Sequence, residues 1–138
     1  MSGSIQNYQD LEVWKRSRKL VKDIYELTYD FPKSQQFNLC QQMQRAAVSI
    51  PSNIAEGQAK KSTRDYIRHL NISLGSLAEL DTQLLLSSDL DYSPISKVDI
   101  IRNDCIIIAK MLNKLISNLK IRLLTPNPQP QNPQPQNP

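Results

Sequence analysis

The stretch VDIIRNDCIIIAKMLNKLISNL, Val98–Leu119, decides the fold. Val98, Ile101, Cys105, Ile108, Leu112, Leu115 and Leu119 recur in alternating steps of three and four, which gathers them on one face of a helix packed into a bundle. Ile100, Ile106, Ile107, Met111 and Ile116 lie outside that seam. The apolar surface is therefore wider than one core-facing stripe needs, and a second interface, with another copy of the chain, is expected. Pro94 fits the first position of this helix, and Asp89–Ser93 before it reads as a turn.

Toward the N-terminus, Ser62 and Asp65 resemble a capping box opening another helix, which carries Tyr66, Ile67, Leu70, Leu74, Leu77, Leu80 and Leu84 to about Ser88. The stretch from about Ser34 to Ala59 places Leu39, Met43, Ala46, Ala47, Ile50 and Ile54 at helical spacing. Pro51 interrupts it, but the apolar phase holds across the proline. A kinked, continuous helix is expected, with Ser49, Ser52 and Asn53 satisfying the freed backbone groups. Gly57 either ends this helix or allows close packing. From about Asp10 to Asp30, Val13, Trp14, Ser17, Leu20, Val21, Ile24, Leu27, Thr28 and Phe31 share one side, and Pro32 marks the stop.

These four helices predict an all-α, antiparallel up-down four-helix bundle over residues 10–124, with a flexible N-terminus at 1–9. Composition agrees: 138 residues with 39% hydrophobic and 22% charged positions suit one core, and three glycines leave few helix breakers. Residues 126–138 contain only Pro, Asn and Gln, with Asn-Pro-Gln-Pro-Gln at Asn127 and again at Asn132, so 125–138 is expected to be a disordered, polyproline-like tail. Its ordinary reading is an entropic tail; the other is a ligand for a proline-binding partner. No apolar leader and no run long enough to span a membrane is present, so a soluble, cytoplasmic protein is expected. Cys40 and Cys105 are far apart and are expected to stay reduced as small hydrophobes.

The net charge is +4, and its distribution matters more than its size. Phe31–Leu70 holds six bases against two acids, whereas Asn71–Ile100 sets Lys97 against five acids. Lys15, Arg18, Lys19 and Lys22 align on the polar side of the first helix. With Lys60, Lys61, Arg64 and Arg68 they form the candidate phosphate contacts of an RNA- or DNA-binding protein; the competing reading is a solvated helix surface. His69, the single histidine, has Asp65 one turn before it, and a surface hydrogen bond is its expected role. No set of acids, bases, nucleophiles or metal ligands converges, so no enzyme activity, cofactor or metal is expected.

The run Arg45–Gly57 sets Arg45, Ser49, Ser52 and Glu56 at helical spacing among small residues. That pattern suits close helix approach, with Arg45 or Glu56 pairing across the contact. Together with Leu11-x-Val13-Trp14, Phe31-Pro32 and Gly75-Ser-Leu-Ala-Glu-Leu80, it resembles the bacterial 23S rRNA intervening-sequence protein family, also called four helix bundle proteins. The resemblance covers roughly Tyr8 to Leu119 and includes Arg45, Ser49, Pro51, Asn53, Glu56, Gly57, Gly75 and Glu79 as structural motif positions. It implies an antiparallel bundle assembled as a homopentamer, encoded in some bacteria within insertions in 23S rRNA genes, with no established molecular function. A related branch, the accessory proteins of diversity-generating retroelements, is a basic pentamer that binds a reverse transcriptase and nucleic acid. The implied alternatives are thus a nucleic-acid binder and an interaction scaffold or accessory subunit for a separately encoded enzyme such as a reverse transcriptase. Ser34, Gln35 and Gln36 depart from the acids usual after Phe-Pro, and His69 stands where an aromatic is usual.

Overall fold

The computed structural model describes residues 7–124. Among them are four helices, α1 (Glu12–Tyr29), α2 (Leu39–Ala59), α3 (Thr63–Asp89) and α4 (Ile95–Leu124), with single 3-10 turns at Tyr8–Asp10 and Lys33–Gln35 and no strand. Each helix packs against the next and α4 returns to α1, while α1 and α3, and α2 and α4, sit diagonally. Short connectors between consecutive helices make neighbours antiparallel. The chain is an all-α, up-down four-helix bundle.

The expected tail, residues 125–138, lies outside the described residues, as do residues 1–6. Residues 7–9, the described part of the expected N-terminal segment 1–9, lead into the bundle through the capped Tyr8–Asp10 turn. Asn7 Oδ1 accepts from the Gln9 N–H at 2.8 Å, and the Tyr8 ring meets Trp14 edge-on with centroids 5.2 Å apart. The second helix starts at Leu39 and not near Ser34. Lys33–Gln35 forms a tight turn, Asn38 departs from helical geometry at φ −133° and ψ −108°, and Phe37 stands in solvent.

The core is built from the seams: Ile24, Met43, Ile50, Ile54, Leu70, Leu80, Leu84, Ile108 and Leu112 are all buried. One seam position shifts. Ile116 is buried and Leu115 only half-buried, because strict alternation of three and four drifts from the true helical period over several turns. The predicted cap of α3 is present, with Ser62 Oγ accepting from the Asp65 N–H at 3.3 Å.

Helices α2 and α3 form a polar seam. α2 runs unbroken through Pro51, and the hydrogen bonds cluster around that turn. Ser73 Oγ donates to the Ile50 carbonyl at 2.9 Å, Asn53 Nδ2 donates to the Ser49 carbonyl at 2.9 Å and to Ser49 Oγ at 3.0 Å, and Ser76 Oγ donates to Ser49 Oγ at 2.9 Å. Ser52, expected to help, is exposed and takes no part. His69, expected at the surface, is buried. Its Nδ1 lies 2.9 Å from Asn53 Oδ1 and its Nε2 3.2 Å from Arg68 Nη2. Arginine only donates, so Nε2 accepts and the ring proton sits on Nδ1. Room for the ring comes from Gly57, where a Cβ would meet His69 Cβ at 2.7 Å.

Both cysteines are free and buried. Burial, with Asp81 and Asp104 nearby, pushes the Cys105 thiol from 9.0 up to about 12. The folded thiol therefore stays protonated while an unfolded one ionises above about 9. Cys105 is expected to leave stability undiminished below that pH and to lower it progressively as the pH rises from 9 toward 12. Denaturation of wild type and Cys105→Ala across pH 8–11 tests this: the wild type should lose stability more steeply above pH 9.

Candidate nucleic-acid interface

The topology collects charge by bundle end. One end is made by the start of α1, the α2–α3 connector and the finish of α4; the other by the α1–α2 and α3–α4 connectors. Contact between the Phe31 and Tyr92 rings, with centroids 5.4 Å apart, joins the two connectors of the second end. At the first end, the Arg122 charge acts on Tyr66, whose phenol burial pushes up. Lys60 and Lys61 occupy the connector there, and Arg64 and Arg68 the first turns of α3. The finish of α4 adds Lys114, Lys120 and Arg122 with no acid, so the bases at this end outnumber its acids Asp10, Glu12, Glu56 and Asp65. At the opposite end Asp30, Asp89, Asp91 and Asp99 outnumber Lys33 and Lys97. The α4 helix is 30 residues long, about 45 Å, so the molecule is an axial electrostatic dipole with one basic and one acidic end.

The two predicted basic groups do not merge into one lateral face, because α1 and α3 are diagonal. Within the α1 group, charge is partly spent inside the fold. Lys15 lies 3.5 Å from Glu12, and Lys19 lies 2.8 Å from Asp23 and 3.9 Å from Asp104 of α4. The hydrogen bond to Asp23 raises the Lys19 pKa. Arg18 sits over the Trp14 ring, 5.1 Å from its centroid, and Lys22 is exposed. In the connector group Arg68 lies 3.6 Å from Asp65, whereas Lys60, Lys61 and Arg64 are exposed and pair with no described acid. Lys61 adopts φ 60°, a left-handed conformation costing a non-glycine residue about 1 kcal/mol, and nothing inside the fold requires a lysine there.

Sequence reading missed the contribution of α4, although the acid-free run 110–124 was its signal. Of the motif positions, Ser49, Asn53 and Gly57 belong to the α2–α3 seam. Arg45 is exposed and pairs with no described acid, and Glu56 only approaches His69 Nε2, at 4.0 Å. Gly75 is exposed on the outer face of α3, where a Cβ would meet nothing within 4 Å. Among the described residues no cluster of His, Cys, Asp or Glu could hold a metal ion, and no helix is long and apolar enough to cross a membrane.

The family model for 23S rRNA-intervening sequence protein matches residues 9–114. No curated protein matches the chain significantly. Among solved structures, the chain is similar to a protein of unknown function from the S23 ribosomal protein family of Bacteroides thetaiotaomicron VPI-5482. The two are 29% identical with a TM-score of 0.71, over 76% of this chain and 95% of that one.

Proposed function

Because this chain belongs to the 23S rRNA-intervening sequence protein family, we propose that it is a non-enzymatic, cytoplasmic homo-oligomer that binds RNA or DNA phosphates with the basic end of its bundle. The observation that carries this reading is the axial separation of charge. Lys60, Lys61 and Arg64 stand in solvent, paired with no described acid, beside the acid-free end of α4. Phosphate contacts are the sequence-independent part of nucleic-acid affinity, and repetition of the patch in an assembly multiplies a weak site.

Assembly is supported by apolar surface that the single bundle leaves in water, including Ile72, Ile100 and Ile106 at 40%, 68% and 49% exposure. Gly75, on the same side of α3 as Ile72, costs helix propensity with no compensating contact inside the chain, which suits close approach by a neighbouring helix. The fivefold count rests on the family resemblance alone.

The experiment is fluorescence anisotropy of a labelled structured RNA titrated with the protein at several salt concentrations. With about four phosphate contacts per protomer, the plot of log affinity against log salt should have a slope of about −3 or steeper. A flat dependence would contradict phosphate recognition. Absence of RNA binding would favour the scaffold reading, in which Ile100 and Ile106 face a protein such as a reverse transcriptase.

A further inference from the structure

At the acidic end, the last turns of α1, the connector after it and the start of α2 enclose an open cleft of about 580 Å3. Its walls are aromatic. Tyr29 and Phe37 are 85% and 86% exposed and Tyr25 47%, around buried Phe31. The exposed Gln36 side chain also lines the cleft. Three large aromatic side chains held in water at one place forgo burial energy. Spaced aromatic rings flanked by amide donors are the surface that receives polyproline II segments, whose prolines fit between rings and whose carbonyls are free to accept hydrogen bonds.

The chain's own sequence contains the matching motif. Pro130-Gln-Asn-Pro133 and Pro135-Gln-Asn-Pro138 are Pro-x-x-Pro units, and a bound polyproline II conformation, with three residues per turn, would bring both prolines of a unit to one edge. We infer that the cleft receives the Pro/Gln segment of a second copy of this chain. Distance argues against the same copy. Lys19 lies beside Asp104, which sets the level of Tyr25 near Val98 of α4, about 40 Å from Leu124. At the about 3.1 Å per residue of a polyproline II segment, Pro133 would reach only about 28 Å beyond Leu124, and the second unit would arrive with its last residue alone. Charge argues for a head-to-tail neighbour, because the segment follows the basic end and the cleft lies at the acidic one. Bringing Lys120 and Arg122 of the donor toward Asp30, Asp89 and Asp91 of the receiver is attractive.

A labelled synthetic peptide of residues 125–138, titrated with the full chain, tests the inference. A saturable rise in anisotropy is expected. The exposed pair Tyr29→Ala and Phe37→Ala should weaken it about tenfold or more with an unchanged circular dichroism spectrum. The full chain should also associate further with concentration in sedimentation velocity, and the double variant should not. No peptide binding, equal binding by the double variant, or equal binding of a peptide with its prolines replaced by alanine would overturn the inference. So would a chain that excludes the peptide yet sediments without concentration dependence, since its own segment would then fill the cleft.

Discussion

Gly57→Ala is expected to lower the stability of the bundle by about 1–3 kcal/mol, although alanine is the better helix former. The new methyl gains about 1 kcal/mol of helix propensity. It also lands 2.7 Å from His69 Cβ, 3.1 Å from Tyr66 Cδ1 and 3.3 Å from the Tyr66 carbonyl. A Cβ and a backbone oxygen cannot swing away, so α2 and α3 must part. Overpacking of this kind costs about 1–3 kcal/mol, and displacing His69 from Asn53 costs about 1 kcal/mol more. Gly75→Ala is the internal control. Its methyl meets nothing within 4 Å, so below the concentration of assembly it should stabilise by about 1 kcal/mol. Urea denaturation of both variants reads the difference. Equal effects of the two substitutions would mean that the close approach at Gly57 does not hold the α2–α3 seam.

The second large effect concerns binding. Lys60→Glu, Lys61→Glu and Arg64→Glu together should weaken RNA binding at low salt roughly a hundredfold, about fivefold for each phosphate deprived of its cation. The side chains are exposed and pair with no described acid, so stability should change little. Lys19→Gln should alter RNA affinity less than about twofold, because Asp23 and Asp104 already hold that ammonium. If Lys19→Gln weakened binding as much as the triple reversal, the interface would lie along α1 and not at the bundle end.

Most of the fold was legible because it depends on local spacing. The α4 seam, the Ser62 cap and the continuity of α2 through Pro51 each follow from residues within a few turns of one another. What escaped depends on partners distant in sequence. His69 reads as a surface residue until Gly57, on the helix before, supplies the space that buries it. The α1 basic stripe is partly paired by neighbours that the sequence does show, Glu12 and Asp23, each within about a turn of its lysine, and only the Asp104 contact to Lys19 comes from a distant helix. The start of α2 was placed too early because Ser34, Gln35 and Gln36 are compatible with a helix. The Lys33–Gln35 turn and the backbone of Asn38 decide otherwise. Of the candidate interface, Lys60, Lys61 and Arg64 were legible as a basic run. Their convergence with Lys120 and Arg122 required the up-down topology, which returns α4 to that end.

The most direct measurement is light-scattering mass on a sizing column, with and without a structured RNA fragment, at low and then high salt. The account predicts about five times the chain mass, rising further with RNA at low salt and returning to the protein-only value at high salt. A chain that elutes at monomer mass and is indifferent to RNA at both salt concentrations would contradict it.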